Sequence, residues 1–210
     1  MIPDKNLFIV TSALKPVTGV FSDDQRFSQT IATLKSLRKV VPDAIIVFTD
    51  VSIRTVSALE KESIAGLCNY YFDLSEHPNV RKSSEEGKKS EAENMLLYFT
   101  LHALKQNNLL KDVKRIFKFS ARSELEDTFD ISEYDNLFGK YVFKTRNVSW
   151  MARTIYCIDT RLWSFDFSMM DEVNQLIRDS YEECMKTGWD IEHFEQFAEF
   201  PPTRAKQTSE

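Results

Sequence analysis

Leu7-Phe-Ile-Val-Thr-Ser-Ala-Leu14 decides the fold. A short apolar run that closes on small polar side chains is the pattern of a parallel strand covered on both faces. Ala44-Ile-Ile-Val-Phe-Thr-Asp50 repeats it, and so does Arg115-Ile-Phe-Lys-Phe-Ser-Ala-Arg122. Each run ends in polar residues, so each predicts a buried strand whose carboxyl end is built for contact with something other than core.

The intervals between these runs read as helices. Lys15 to Gly19 is a loop, and Ser22 with Gln25 forms a capping-box signature before a stripe of Phe27, Ile31, Leu34 and Leu37. Pro42 closes that segment. A second helix is predicted from Ser52 to about Ile64, and a short third strand over Asn69 to Leu74. The polar stretch Ser75 to Lys89 reads as a loop, followed by a second capping box, Ser90 with Glu93, before Met95, Leu96, Phe99, Ala103 and Leu104. Beyond the third long strand the pattern is less regular. Lys140 to Lys144 and Thr154 to Ile158 read as strands, Ser168 to Lys186 as a helix stopped by Gly188, and Trp189 to Phe194 as the start of a last short helix. Strand and helix alternation over the first 125 residues predicts an α/β fold: a Rossmann-like, mostly parallel sheet flanked by helices, with an antiparallel piece from the second half. The expected organisation is one domain over residues 1–200 and a flexible polar tail over 201–210.

Composition narrows the function. With 42% hydrophobic residues, 16 Phe and 28% charged residues, the chain has the material for a core and is not of the disordered class. A net charge of −5 disfavours nucleic acid as a partner, because neutralising a phosphate backbone needs a basic surface. The three cysteines, Cys68, Cys157 and Cys184, have no CxxC spacing and suggest neither a disulfide framework nor a zinc site. No apolar run reaches the length of a membrane span, and the first residues lack a signal-peptide pattern, so a cytoplasmic location is expected.

In a parallel sheet the carboxyl ends of adjacent strands share one edge, where ligands bind. Thr11, Ser12, Ala13, Asp50, Ser120 and Arg122 therefore converge on paper. Arg122 supplies a fork that matches phosphate oxygens, and Asp50 a carboxylate for a ribose hydroxyl or a base. Arg26, Lys88 and Lys89 add positive charge, and Ser90 stands at a helix N-terminus, where anions bind. Each has a structural alternative: Asp50 capping the next helix, the lysines on a solvated face, Arg122 as an ordinary surface residue. GxxxxGK[ST], GxGxxG and GxSxG are all absent, which argues against P-loop hydrolysis, dinucleotide dehydrogenation and a serine hydrolase.

Leu7 to Ser12, Arg26-x-x-Gln-Thr-Ile-x-x-Leu-x-Ser-Leu-Arg38, Pro42-Asp-Ala-Ile-Ile-Val-Phe48 and Phe117-Lys-Phe-Ser-Ala-Arg122, in that order and spacing, resemble small GT-A-type glycosyltransferases of large DNA viruses and some bacteria. A domain of a multidomain chlorella-virus protein that glycosylates the capsid is of this kind. The resemblance covers most of residues 5 to 195. It implies a UDP-sugar donor, with glucose or a deoxysugar such as rhamnose as the sugar. It also implies a glycan or glycoprotein acceptor, and the tail after Pro201, which ends without an obvious domain boundary, leaves further domains of a longer chain as an expectation. Such enzymes hold Mn²⁺ or Mg²⁺ with an Asp-x-Asp motif at the end of the fourth strand; here that place reads Ser120-Ala-Arg122, and no Asp-x-Asp occurs. Arg122 with Lys88 or Lys89 then becomes a candidate substitute for the cation's charge. The resemblance further marks His193 as a metal-ligand candidate, Asp190 and Glu192 as catalytic carboxylates, and Trp150 and Trp189 as sugar-stacking aromatics. A terminal-helix histidine and two core tryptophans are the structural alternatives. Two rival functions remain: an inactive nucleotide-binding module, and an interaction domain that recruits a protein through Ser75 to Lys89.

Overall fold

A computed structural model describes residues 4–143, 146–148, 156–158 and 160–187, and for 146–148 and 156–158 the backbone alone. Its centre is a six-stranded sheet of β1 (Lys5–Ser12), β2 (Ile45–Asp50), β3 (Tyr70–Asp73), β4 (Val113–Ser120), β5 (Tyr141–Phe143) and β8 (Leu162–Asp166), in the order β3-β2-β1-β4-β8-β5. The first four strands run parallel; β8 is antiparallel to β4, and β5 antiparallel to β8. Between β5 and β8, β6 (Arg146–Val148) and β7 (Tyr156–Ile158) form a separate antiparallel pair. Five helices flank the sheet among the described residues: α1 (Asp23–Val40), α2 (Ala58–Ala65), α3 (Pro78–Glu85), α4 (Lys89–Gln106) and α5 (Met170–Thr187). The mostly parallel α/β sheet expected from the sequence is the one observed.

Alternation along the strands sorts the core into two layers. Phe8, Val10, Ile46, Phe48, Phe117 and Phe119 pack with Leu34 and Leu37 of α1, and the Phe8 and Phe117 rings stack with centroids 4.5 Å apart. Leu7, Ile9, Val47 and Ile116 face the other way, onto Leu97, Leu101 and Leu104 of α4 and Val173 and Ile177 of α5. Both faces are covered, which is why β1 and β4 read as continuous apolar runs. Burying one such Phe contributes about 1.5–3 kcal/mol, so this layering holds the strand ends firmly in place.

Several elements differ from expectation. The buried face of α1 is Arg26, Thr30, Thr33, Leu34 and Leu37, whereas Phe27 and Ile31 are only half-buried. The first turns of α1 pass over the strand ends rather than over the core, so polar side chains turn inward there. α2 starts at Ser57, whose capping box with Glu60 is complete, and not at Ser52. Ser52 is used elsewhere: its hydroxyl accepts the Lys15 N–H at 2.9 Å. The stretch Ser75–Lys89 is no open loop, because α3 forms within it, opened by Pro78 and anchored by buried Val80 and Ser83. The second capping box does not form either. α4 begins at Lys89 without a side-chain cap, and Glu93 reaches for the sheet instead. β8 was not foreseen at all.

Candidate functional site

The chain leaves β1 for β2 and β3 on one side, then returns to place β4 on the other, so β1 and β4 flank the topological switch point of the sheet. Ligands of open α/β sheets bind in the crevice outside this point. A cleft lies there, lined by Thr11, Ser12 and Ala13 after β1, by Ser120, Ala121 and Arg122 after β4, and by Arg26 of α1. The pairing of Thr11 with Ser120 and the Ala121 N–H donated to the Thr11 carbonyl at 3.0 Å tie its two rims together. Lys89, Ala92 and Glu93 at the start of α4 form the facing wall.

Charge gives the cleft its character. Arg26 is only 7% exposed, and its Nη1 donates to the Ala13 carbonyl at 3.2 Å while its buried Nε has no partner. Burial, and then the neighbouring charge of Arg122, lower its pKa, with Asp23 opposing. A guanidinium stays protonated in proteins even so. Gly19 makes room for it, since a Cβ there would stand 2.3 Å from Arg26 Nη2. Arg122 is exposed at the mouth, and neither it nor Lys89 makes an ion pair or side-chain hydrogen bond among the described residues. On a chain of net charge −5, three cations thus meet in one cleft. The single lining carboxylate among the described residues, Glu93, is already paired with Lys118. Such a surplus, with a buried donor left open, calls for an anion with several oxygens.

Not every residue expected at the strand ends is here. Thr11, Ser12, Ala13, Arg26, Ser120 and Arg122 are brought together, but Asp50, Lys88 and Ser90 do not line the cleft. Asp50 is 0% exposed, and its two oxygens accept the Leu14 and Ser52 N–H groups, each at 3.0 Å. It fastens the loop after β1 from below. Lys88 is held by Glu86 at 3.0 Å and Glu91 at 3.6 Å, and its expected place is taken by Lys89. Trp150, Trp189, Asp190, Glu192 and His193 lie outside the described residues.

Burial pushes the Asp50 carboxyl above its ordinary value of 3.8, against the hydrogen bonds from Ser52 and Leu14. A carboxyl with a raised folded pKa contributes stability that is complete below the ordinary value and is lost as the pH rises through the folded one. Thermal melts from about pH 3 to 7 are therefore expected to show wild type losing stability relative to Asp50→Asn as the pH climbs. A constant difference between the two proteins would mean that Asp50 does not titrate with folding.

Sequence reading missed Thr30, Glu93 and Lys118 as residues of the site. For the last there was a signal. A lysine between Phe117 and Phe119 in a strand covered on both faces must find a carboxylate or a carbonyl. Lys118, 3% exposed, finds both, donating to the Thr160 carbonyl at 2.7 Å and pairing with Glu93.

No protein-family model matches this sequence, and no curated protein matches it. Solved structures do. A mannosyltransferase from S. cerevisiae in complex with GDP superposes with a TM-score of 0.50 at 10% identity, covering 90% of this chain and 63% of that one. The fold is GT-A-like. Core-mannan synthase A from Aspergillus fumigatus, in its Mn/GDP form, gives 0.49 at 9% identity, over 91% of this chain and 67% of that one. A galactosyltransferase in complex with donor and acceptor sugar analogues gives 0.45 at 12%, over 88% and 65%. The chain thus spans about two thirds of the length of these proteins.

A divalent cation does not suit the described donor set. It needs hard oxygen ligands, chiefly carboxylates, and the end of β4 offers Ser120 and Arg122, with Glu93, paired through one oxygen with Lys118, the single carboxylate lining the cleft among the described residues. Among the described residues no group of three or more His, Cys, Asp or Glu could hold a metal ion. Among those residues, too, no helix is long and apolar enough to cross a membrane.

Proposed function

We propose that this chain is a glycosyltransferase that takes a sugar from a nucleoside diphosphate sugar, with the diphosphate held between Arg26 and Arg122. The observation that carries this reading is the pair of arginines, one buried and one exposed, at the switch point of a GT-A-like sheet, neither of them in a salt bridge among the described residues. In transfer, an acceptor hydroxyl forms the new bond to the anomeric carbon as the bond from that carbon to the phosphate oxygen breaks. The hydroxyl's proton passes to a carboxylate, for which Asp190 and Glu192 are the candidates by sequence. Negative charge grows on the departing diphosphate, where fixed guanidinium groups stabilise it most. Lys89 adds a third cation within the same cleft. The sequence resemblance favours UDP as the nucleotide, glucose or a deoxysugar such as rhamnose as the sugar, and a glycan on a viral capsid glycoprotein as acceptor.

Calorimetric titration of UDP, GDP and CMP, each with Mn²⁺ and with EDTA, tests the reading. One nucleoside diphosphate is expected to bind selectively, and to keep its affinity in EDTA because arginines supply the charge. Binding of none of the three would overturn the proposal in favour of an interaction domain. Selective binding with neither transfer nor slow donor hydrolysis would mark an inactive nucleotide-binding module.

A further inference from the structure

Among the described residues, Glu93 is the one lining charge that the diphosphate does not explain. It stands on α4, pointed at the gap between β1 and β4, with its side chain 38% exposed. Its Oε1 accepts the Thr11 hydroxyl at 3.4 Å and pairs with Lys118 Nζ. Both contacts fall on Oε1, which leaves Oε2 as the carboxylate's spare acceptor. Burial works to raise this carboxyl, but Lys118, Arg122 and Thr11 outweigh it and hold it below the ordinary value. A carboxylate so firmly ionised is a poor proton acceptor in catalysis. It also repels phosphate. What it suits is the donor face of a neutral hydroxyl, to which an ionised acceptor makes a short, strong hydrogen bond.

We propose that Glu93 reads a sugar hydroxyl of the ligand through Oε2, so that the cleft has an anion side at Arg26 and Arg122 and a hydroxyl side at Glu93. The inference rests on the nucleotide-sugar reading above and adds a specificity-determining residue to it. Two parts of such a ligand carry hydroxyls, the ribose and the transferred sugar, and both present the same chemistry to Glu93.

The test is titration of inorganic pyrophosphate, UDP and UDP-glucose into wild type and Glu93→Gln, with GDP and GDP-mannose substituted if GDP proves the preferred nucleotide. Pyrophosphate affinity is expected to hold or rise on loss of the negative charge, while UDP-glucose affinity falls about tenfold, the order of one charged hydrogen bond. A fall shared by UDP assigns the hydroxyl to ribose; a fall confined to UDP-glucose assigns it to the transferred sugar. Equal losses for all three ligands, or no loss for any, would overturn the proposal. Glu93→Gln leaves the Lys118 ammonium buried without its carboxylate, so the pair Glu93→Gln with Lys118→Met, which removes both charges, is measured beside it. The ratio of UDP-glucose to pyrophosphate affinity is the readout in each. A wild type that binds none of these ligands would sink the nucleotide-sugar reading itself, and this inference with it.

Discussion

Arg122→Ala is expected to weaken nucleoside diphosphate binding by about 1.5–3 kcal/mol, the range for hydrogen bonds to a charged group. In affinity that is roughly ten- to more than a hundredfold, well within reach of calorimetry. The protein should stay folded, because Arg122 is exposed and its side chain bonds to nothing among the described residues. Substitutions at such positions usually fall within about 0.5 kcal/mol. Two opposing charge effects go with it: Arg122 repels the buried Arg26 and attracts the Glu93 carboxylate. The expected pattern is lost affinity with stability nearly unchanged. Arg122→Lys should recover part of the affinity, since it restores charge without the two-pronged fork. Unaltered affinity in Arg122→Ala would remove this residue from the diphosphate site.

Arg115→Met is expected to cost about 2–4 kcal/mol of stability, since a buried acceptor left without its donor, here Ser164 Oγ, costs roughly 1–3 and two part-buried carbonyls lose theirs as well. Arg115 is 3% exposed and stands on β4, seven residues before Arg122, yet its role is of another kind. Its Nε donates to Ser164 Oγ at 2.9 Å, Nη1 to the Leu137 carbonyl at 2.8 Å and Nη2 to the Lys140 carbonyl at 2.9 Å. The guanidinium also lies 5.5 Å from the centroid of the Tyr134 ring. One side chain therefore fastens β8 and the chain leading into β5 to the central strand. Methionine fills similar volume and takes the donor from Ser164 Oγ and the Leu137 carbonyl, and leaves the Lys140 carbonyl only the Asp166 N–H at 3.4 Å. For a chain of this size the melting temperature should drop by about 10 °C, followed by circular dichroism. Arg115→Lys should restore little, because one ammonium cannot span three acceptors set in a fork. A loss under about 1 kcal/mol would show that water replaces these bonds readily.

The same residue type at both ends of one strand shows where sequence reading stops. Arg115 and Arg122 are equally arginine in sequence; only the packing of Leu137, Lys140 and Ser164 around the first makes it structural. Strand β8 was missed for a related reason. Leu162–Asp166 is five residues long and earns its place by pairing with β4 and β5, contacts remote in sequence. The capping box at Ser90 failed because Glu93 had a stronger attraction in Lys118 than in a backbone N–H, and only the fold brings those two together.

By itself the sequence determined the four parallel strands, the helices α1, α2 and α4 between them and the polar character of the strand ends. These are properties of local pattern: apolar runs, capping residues and their spacing, which act within a few residues and are written along the chain. The tertiary structure decided which polar residues face the cleft. Asp50, chosen from sequence, went beneath it to hold two N–H groups, while Glu93 and Thr30, not chosen, came to its walls. Burial and charge pairing are set by neighbours distant in sequence. A carboxylate or a guanidinium acquires its role only when the fold determines which opposite charge, carbonyl or solvent it meets.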